Sequence, residues 1–411
     1  MRPKWGDPAR IAADYPTLET SVRRGKSGRP DYRSQVQRIP LPDARVVVAG
    51  VVDIDQNADG IVPRRMSNAY RYQYPIEVDI LASSPSGVRL VLATTSRSIG
   101  VELLATHFQL GTGAAFVSPI DLVANGALVA SQPFTEGNVI IVDAVTRSLE
   151  FVAGEPTTVW LDVPDAPYVE LWLPSNSTVE LRALHIDDGA TLNAPPPDHR
   201  RRWVHHGSSI SHCLEAHGGS RTWPSTAAQL GDVQLTNIGL AGQCMLDQFT
   251  ARTIRDQPAD LLSLKVGINI VNGDTLRMRT FAPALHGFLD TVREGHPHIP
   301  FIVASPILCP AHEDHAGPSD GSSGTTVALG TPTTQAQGAL TLRQIRDIVA
   351  LVVDARRAAG DTNLHYLDGR TLFDEGDLAD LPDGLHPNGD GYVRMGERFA
   401  AHAFGTNGPF A

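Results

Sequence analysis

The chain has 411 residues, 42% of them hydrophobic, which is enough apolar side chain for two cores. Its formal net charge of -11 and lack of any long run of Lys or Arg leave no basic footprint for nucleic acid or an anionic membrane surface. No segment reaches the roughly eighteen successive apolar residues of a membrane span, no apolar stretch follows the basic residues of the N-terminus, and the three cysteines form no CxxC pair, so we expect a cytoplasmic protein without a disulfide framework.

Residues 1–40 read as an irregular lead-in. From there to about residue 184 the chain offers short β-branched runs at 45–52, 88–95, 100–106, 139–145, 168–173 and 178–184, broken by Gly, Pro, Asn and Asp. Many short strands without a long helical period predict an all-β, jelly-roll-like sandwich over residues 1–192. Within it, Asp55-Gln56-Asn57-Ala58-Asp59-Gly60 matches the first half of a calcium loop, but Met66 stands where the bidentate acid belongs, so a polar turn is expected. The proline-rich stretch 193–199 denies the backbone ladder donors and reads as a linker.

Over residues 200–411 the rhythm changes to strand followed by helix. Apolar strands are expected at 203–206, 233–238, 260–266, 300–305 and 364–367, with helices at 220–230, 245–256, 281–294, 340–359 and 391–403. In the fourth helix Leu342, Ile345, Val349 and Val352 recur at helical spacing while Arg343, Arg346, Asp347 and Arg356 fill the other face. Five such units predict an α/β domain with a parallel five-stranded sheet covered on both sides, its ligands gathering at the carboxyl ends of the strands. The Gly-, Ser- and Thr-rich stretch 317–338 reads as a surface loop or as a lid beside the site.

The strand ends carry the chemistry. Gly207-Ser208-Ser209-Ile210-Ser211 presents hydroxyls at a helix start, and Asp383-Gly384-Leu385-His386 sets a carboxylate three residues before an imidazole that it can orient. Together they suggest a serine hydrolase. Asn237-Ile238-Gly239-Leu240-Ala241-Gly242 and Gly267-Ile268-Asn269 offer backbone N–H groups and a side-chain amide, the donors that a tetrahedral oxyanion needs.

The ordered set Gly-x-Ser, Asn-x-Gly-x-x-Gly, Gly-x-Asn and Asp-x-x-His resembles the four sequence blocks of the SGNH, or GDSL, hydrolase superfamily, and the resemblance spans residues 201–403. It implies a flavodoxin-like three-layer α/β/α fold with Ser209 as nucleophile, His386 as general base and Asp383 orienting it. The Ser209 N–H, the Gly242 N–H and the Asn269 side chain would form the oxyanion hole. One departure stands out: where the family usually has Asp before the nucleophile, this chain has Ser208, which leaves Ser208 and Ser211 as competing hydroxyls. An α/β-hydrolase elbow, Gly-x-Ser-x-Gly, is excluded by Ser211 at its fifth position.

Taken singly, each block also has a plainer reading. Asp383-Gly384 is a turn signal, Gly239 and Gly242 suit helix packing, and Asn269 suits a helix cap. His205 and His206 point to opposite faces of a strand, so at least one is expected to be a packed histidine. Cys309, His312, Asp314 and His315 lie close enough in sequence to suggest zinc, but their spacing is loose and serine chemistry needs no metal, so neither metal nor cofactor is expected. Ser208, Cys309 and His312 are instead taken to line the substrate pocket. Cys213 and Cys244 read as small buried residues.

These features predict a two-domain esterase whose β-sandwich and hydrolase order is similar to that of certain carbohydrate acetylesterases. The expected substrate is a short acyl ester of a sugar or small metabolite. The same residues would also serve acyl transfer to an alcohol, and a noncatalytic glycan-binding protein with a decayed hydrolase half is a third reading. The acyl chain, the alcohol and the oligomeric state are left open.

Overall fold

A computed structural model of the chain describes residues 36–411 apart from 112, 114 and 144–147, so the expected strand 139–145 and the lead-in lie partly outside the described residues. Alternating β-branched runs build two stacked sheets from the first part of the chain, one of eight strands and one of six. Their pairing is antiparallel, except that Ser98–Leu110 and Asn138–Val142 run parallel. The larger sheet is centred on Ser98–Leu110 and Ser177–Asp187, whose register shifts by a bulge between Leu181 and Ala183. Ile99, Val101, Leu103 and Ile186 from this sheet meet Leu90, Leu122 and Leu171 from the other, all fully buried in one core.

Three parts of this half differ from the expectation. Val36–Pro40 is a strand paired antiparallel with Ser177–Asp187, its Ile39 buried in the sandwich core, and not irregular lead-in. With only Val36 and Ile39 apolar before its proline, this strand shows no alternation and is specified by its partner. The hairpin Ser118–Ala124 with Ala127–Phe134 completes the smaller sheet, although Ala127–Phe134 is largely exposed. Ile76–Ala82 is a helix of two turns, too short for a period to register, and it buries Val78 and Ala82 one turn apart.

That helix does not pack into the sandwich. Met66, Tyr74, Val78 and Ala82 join the core formed by residues beyond 200, so the packing boundary cuts back into the first half of the chain. The six residues after the terminal strand Leu192–Asn193 are mostly exposed, as a linker requires.

Beyond the linker, five parallel strands run in the spatial order Gln234–Asn237, Arg202–Gly207, Leu261–Lys265, Phe301–Ala304, Leu364–Leu367. In chain order this is 2-1-3-4-5, the flavodoxin-like arrangement, with its topological switch between the first and third strands. Helices Trp223–Leu230 and Gly389–Ala403 pack together, while Gln248–Asp256, Met278–Gly295 and Leu342–Ala358 pack in sequence with one another. Alternation along Arg202–Gly207 shows both faces: Trp203 and His205 lie against Trp223, whereas His206 stacks on Phe288.

Trp203 anchors the first face. It is fully buried, lies 5.1 Å from Phe399 in a near-parallel stack, and donates its indole N–H to Ser263 Oγ at 2.8 Å. Trp203→Ala would open a large cavity and leave Ser263 with one partner fewer. We expect it to cost roughly 3–5 kcal/mol of stability, read as a lowered urea midpoint with an unchanged m-value.

Candidate active site

The carboxyl ends of the first three strands, in chain order, open into the loops that carry the motifs. Gly207 ends the first strand, and a Cβ there would lie 2.2 Å from Ser211 Oγ, so only glycine permits the turn. Ser208 then caps the short helix Ser209–His212, its Oγ accepting from Ile210 N–H at 3.3 Å. Ser209 is thereby placed at the first position of that helix, 8% exposed, while Ser208 and Ser211 are fully buried. In the loop before the helix Gly389–Ala403, Asp383 starts a tight turn in which its Oδ1 accepts from the N–H groups of Leu385 and His386 at 2.8 and 2.7 Å.

These two loops meet. His386 Nε2 lies 2.9 Å from Ser209 Oγ, and His386 Nδ1 lies 2.6 Å from Asp383 Oδ2. The carboxylate fixes the imidazole with its proton on Nδ1, which leaves Nε2 to accept from the serine hydroxyl. Of the three hydroxyls considered, only Ser209 faces His386; Ser211 Oγ is 2.8 Å from His205 Nε2 inside the core. Partial burial works to raise the Asp383 carboxyl, but the hydrogen bond and charge of His386, with the two N–H groups, outweigh it and hold it down at about 2. Burial likewise works against the imidazolium, yet the hydrogen bond to Asp383 and the charges of Glu215 and Asp383 raise His386 above its ordinary value.

Gly242 and Asn269 occupy the loops after the second and third strands. Gly242 adopts φ +70°, a left-handed conformation that favours glycine, and its N–H has no hydrogen-bond partner among the described residues. Asn269 Oδ1 accepts from Cys244 N–H at 3.0 Å, which fixes the amide and leaves its Nδ2 hydrogens without a partner among the described residues. A constellation of hydroxyl, imidazole, carboxylate and unoccupied N–H donors is suited to acyl transfer through a serine.

Comparison with known proteins points the same way. Residues 206–394 match the model of the GDSL-like lipase/acylhydrolase family. This match supports the chain as a member of the SGNH/GDSL hydrolase superfamily. The chain is an ester-acting enzyme of the carboxylic ester hydrolase class. Among solved structures, the hydrolase is similar to a salicylyl-acyltransferase from a tetracycline biosynthetic pathway, at 26% identity and TM-score 0.73, covering 88% of this chain and 95% of that one. A GDSL-like lipase from Bacteroides ovatus (17% identity, TM-score 0.65, 89% and 96% coverage) shares the fold. So does a family two carbohydrate esterase from Clostridium thermocellum solved with cellohexaose (14% identity, TM-score 0.56, 87% and 97% coverage). No curated protein matches the sequence.

Three other residues singled out in the hydrolase lie elsewhere than expected. The three taken as pocket-lining are interior: Ser208 is the helix cap, Cys309 Sγ is 3.3 Å from Gly384 O behind the Asp383 turn, and His312 contacts Ser319 Oγ at 2.6 Å. Burial pushes the Cys309 thiol up to about 12, so it is not a thiolate. Asp314 pairs with Arg343 away from His312, and among the described residues no three His, Cys, Asp or Glu side chains converge as a metal site. Asp55–Gly60 runs from the end of one strand into the turn of a hairpin, 57–60, with Asn57 Oδ1 accepting from Asp59 and Gly60 N–H. Both His205 and His206 are packed and hydrogen-bonded, to Ser263 with Ser211 and to Ile238 O respectively. Among the described residues no helix is long and apolar enough to cross a membrane.

Sequence reasoning passed over Glu215. Its Oε1 lies 4.0 Å from His386 Nδ1, and its Oε2 accepts from the buried Tyr392 hydroxyl at 2.9 Å, which makes it a second carboxylate beside the imidazole. No motif contains it. Beside Glu215 a cleft of about 470 Å³ opens between Phe116, Val117 and Pro133 of the sandwich and His217 and Arg221 of the hydrolase half. The stretch 317–338 forms a small hairpin, Ser319–Asp320 with Val327–Ala328, tied to the site by Thr326 N–H donating to Asp383 O at 2.7 Å.

Proposed function

We propose that this protein cleaves a carboxylic ester through an acyl-enzyme on Ser209. The observation that carries the reading is the line from Ser209 Oγ through His386 to Asp383, at 2.9 and 2.6 Å. Ser209 Oγ would attack the ester carbonyl while its proton passes to His386 Nε2. The resulting oxyanion would be held by the N–H groups of Ser209 and Gly242 and by Asn269 Nδ2. Collapse expels the alcohol, which takes the proton back from His386. A water activated by the same imidazole then releases the acid and restores Ser209. Asp383 orients the ring and stays ionised, because its carboxyl is held at about 2.

The cleft between the two halves supports a substrate with one compact group beyond the ester, and a short acyl ester of a sugar or small metabolite fits the reading. In this reading the chain works as two domains, a sandwich up to residue 192 and a hydrolase from residue 200, joined by residues 193–199. The direct test is reaction with a fluorophosphonate followed by peptide mapping. We expect one adduct, on Ser209, absent from Ser209→Ala; an adduct on Ser208 or Ser211 would refute the assignment.

Asn269→Ala removes one oxyanion donor and is expected to lower kcat about 100- to 1000-fold with KM little changed. A stopped-flow assay on an activated acetate ester separates the two parameters. Acyl transfer to an alcohol in place of water is a second reading, supported by the likeness to the salicylyl-acyltransferase. Product analysis with and without an added acceptor alcohol decides between them. The close approach of Ser209, His386 and Asp383 speaks against a decayed, purely glycan-binding protein.

A further inference from the structure

Arg65 comes from the sandwich half of the sequence, next to the strand Ile61–Arg64, yet its side chain is completely buried beneath the loop that carries Gly242. Nε donates to Ser84 O. One terminal nitrogen donates to Leu81 O at 2.9 Å, and the other to Asn237 O at 3.1 Å and to Gly239 O. Among the described residues no carboxylate lies within ion-pair range of it. A guanidinium removed from water and answered by four carbonyl oxygens, with His212 Nε2 3.4 Å from one terminal nitrogen, persists where those oxygens are held in place, because an ill-fitting cage would not repay its desolvation. Four diverging acceptors also need the planar fork of Arg, which the single ammonium of Lys cannot match.

The loop above this clamp is tied down residue by residue. Gly239 N–H donates to Asn237 Oδ1 at 2.9 Å, Leu240 N–H to Gly207 O at 2.9 Å, and Ala241 N–H to His212 Nδ1 at 3.3 Å. Gly242 N–H comes next and has no partner among the described residues. The His212 ring is held from the sandwich half too, because its Nε2 lies 3.0 Å from Ser84 Oγ, whose own hydrogen goes to the Ser175 and Ser177 carbonyls. Ser86 adds a third tie, accepting from Asn237 Nδ2 at 3.0 Å while donating to His212 O at 2.8 Å.

We propose that Arg65 is a positioning residue for ester cleavage: by clamping the Asn237 and Gly239 carbonyls from below, it sets the direction of the Gly242 N–H and makes the sandwich half a working part of the oxyanion hole. The inference rests on the esterase reading above and adds to it a task for the first half of the chain. Displacing a catalytic group by about 1 Å costs on the order of 100-fold in rate, so a clamp of this kind acts on kcat and not on substrate capture.

The test compares Arg65→Lys and Arg65→Met with Val78→Ala, which loosens the same docked segment through its core without touching the carbonyl clamp. Three quantities are read on full-length protein: thermal midpoint, kcat and KM on an activated ester, and the rate at which a fluorophosphonate, whose P=O group enters the oxyanion hole, labels Ser209. Arg65→Met is expected to lower kcat and the labelling rate in parallel by about 10- to 100-fold, with KM within about twofold. Arg65→Lys should fall between it and wild type, and Val78→Ala should lose thermal midpoint while keeping kcat within about twofold. Unchanged kcat and labelling in both Arg65 variants would overturn the proposal, as would an equal loss of kcat in Val78→Ala. Should Arg65→Met not fold, Arg65→Lys and Ser84→Ala, which takes the Ser84 hydroxyl away from His212 Nε2, decide on the same readouts. Wild-type protein that is never labelled points instead to failure of the esterase reading.

Discussion

Ser209→Ala is expected to lower kcat by about 10⁴- to 10⁶-fold on any ester the enzyme accepts, with little change in KM or thermal stability. The hydroxyl is the one group that bonds to the acyl carbon, so its loss removes the covalent route and leaves only what the oxyanion donors contribute to direct attack by water. Stability should hold, because the alanine introduces no clash and leaves only His386 Nε2 unpaired, on a side chain that is partly exposed. His386→Ala should cost about as much, and the double variant little more, since nucleophile and base act as one unit. Ser211→Ala is the instructive contrast. Its hydroxyl is buried against His205, so the substitution should lower the urea midpoint while sparing kcat. Single-turnover kinetics on an activated acetate ester would show both effects. Retention of more than about 1% of wild-type kcat in Ser209→Ala would contradict the acyl-enzyme mechanism.

Asp383→Asn is expected to reduce kcat/KM by about 10³-fold near neutral pH, because an amide no longer selects the Nδ1–H tautomer or balances the imidazolium. Part of the electrostatic support should survive, since Glu215 stands 4.0 Å from the same nitrogen and is steadied by Tyr392. Adding Glu215→Gln to Asp383→Asn should bring the rate to that of His386→Ala. The pH profile offers a second readout. His386 works as a base only when neutral, and its pKa is raised above the ordinary value, so kcat/KM should fall as pH drops through that raised value. Glu215→Gln alone removes one of the charges that raise it, and the acid limb should then move to lower pH. A limb that stays in place would mean that the Glu215 charge is not felt at His386.

Much of the hydrolase half was legible because its signals are local. Leu364–Leu367 was delimited correctly, and the other four parallel strands to within two residues, since each is a short run that carries apolar residues and alternates with helical stretches. The long helix Leu342–Ala358 announced itself through Ile345, Val349 and Val352 on one face, although its start, which the Thr341 cap fixes, lies two residues later than expected. In the sandwich the signals were weaker. Ile76–Ala82 is too short to show a period, and Val36–Pro40 is a strand because Ser177–Asp187 supplies its ladder.

The order of the four motifs along the chain, the turn at Gly207 and the carboxylate three residues before His386 were settled by the sequence itself, because each depends on neighbours a few residues away. Only the tertiary structure decided which hydroxyl meets the imidazole across 177 residues, that Ser208, Cys309 and His312 face inward, that Glu215 stands beside His386, and that Arg65 reaches a loop 174 residues further on. Those contacts depend on the sheet's strand order and on how the segment after Arg64 docks on the second core. Both are set by burial summed over many distant side chains, and no local spacing records that sum.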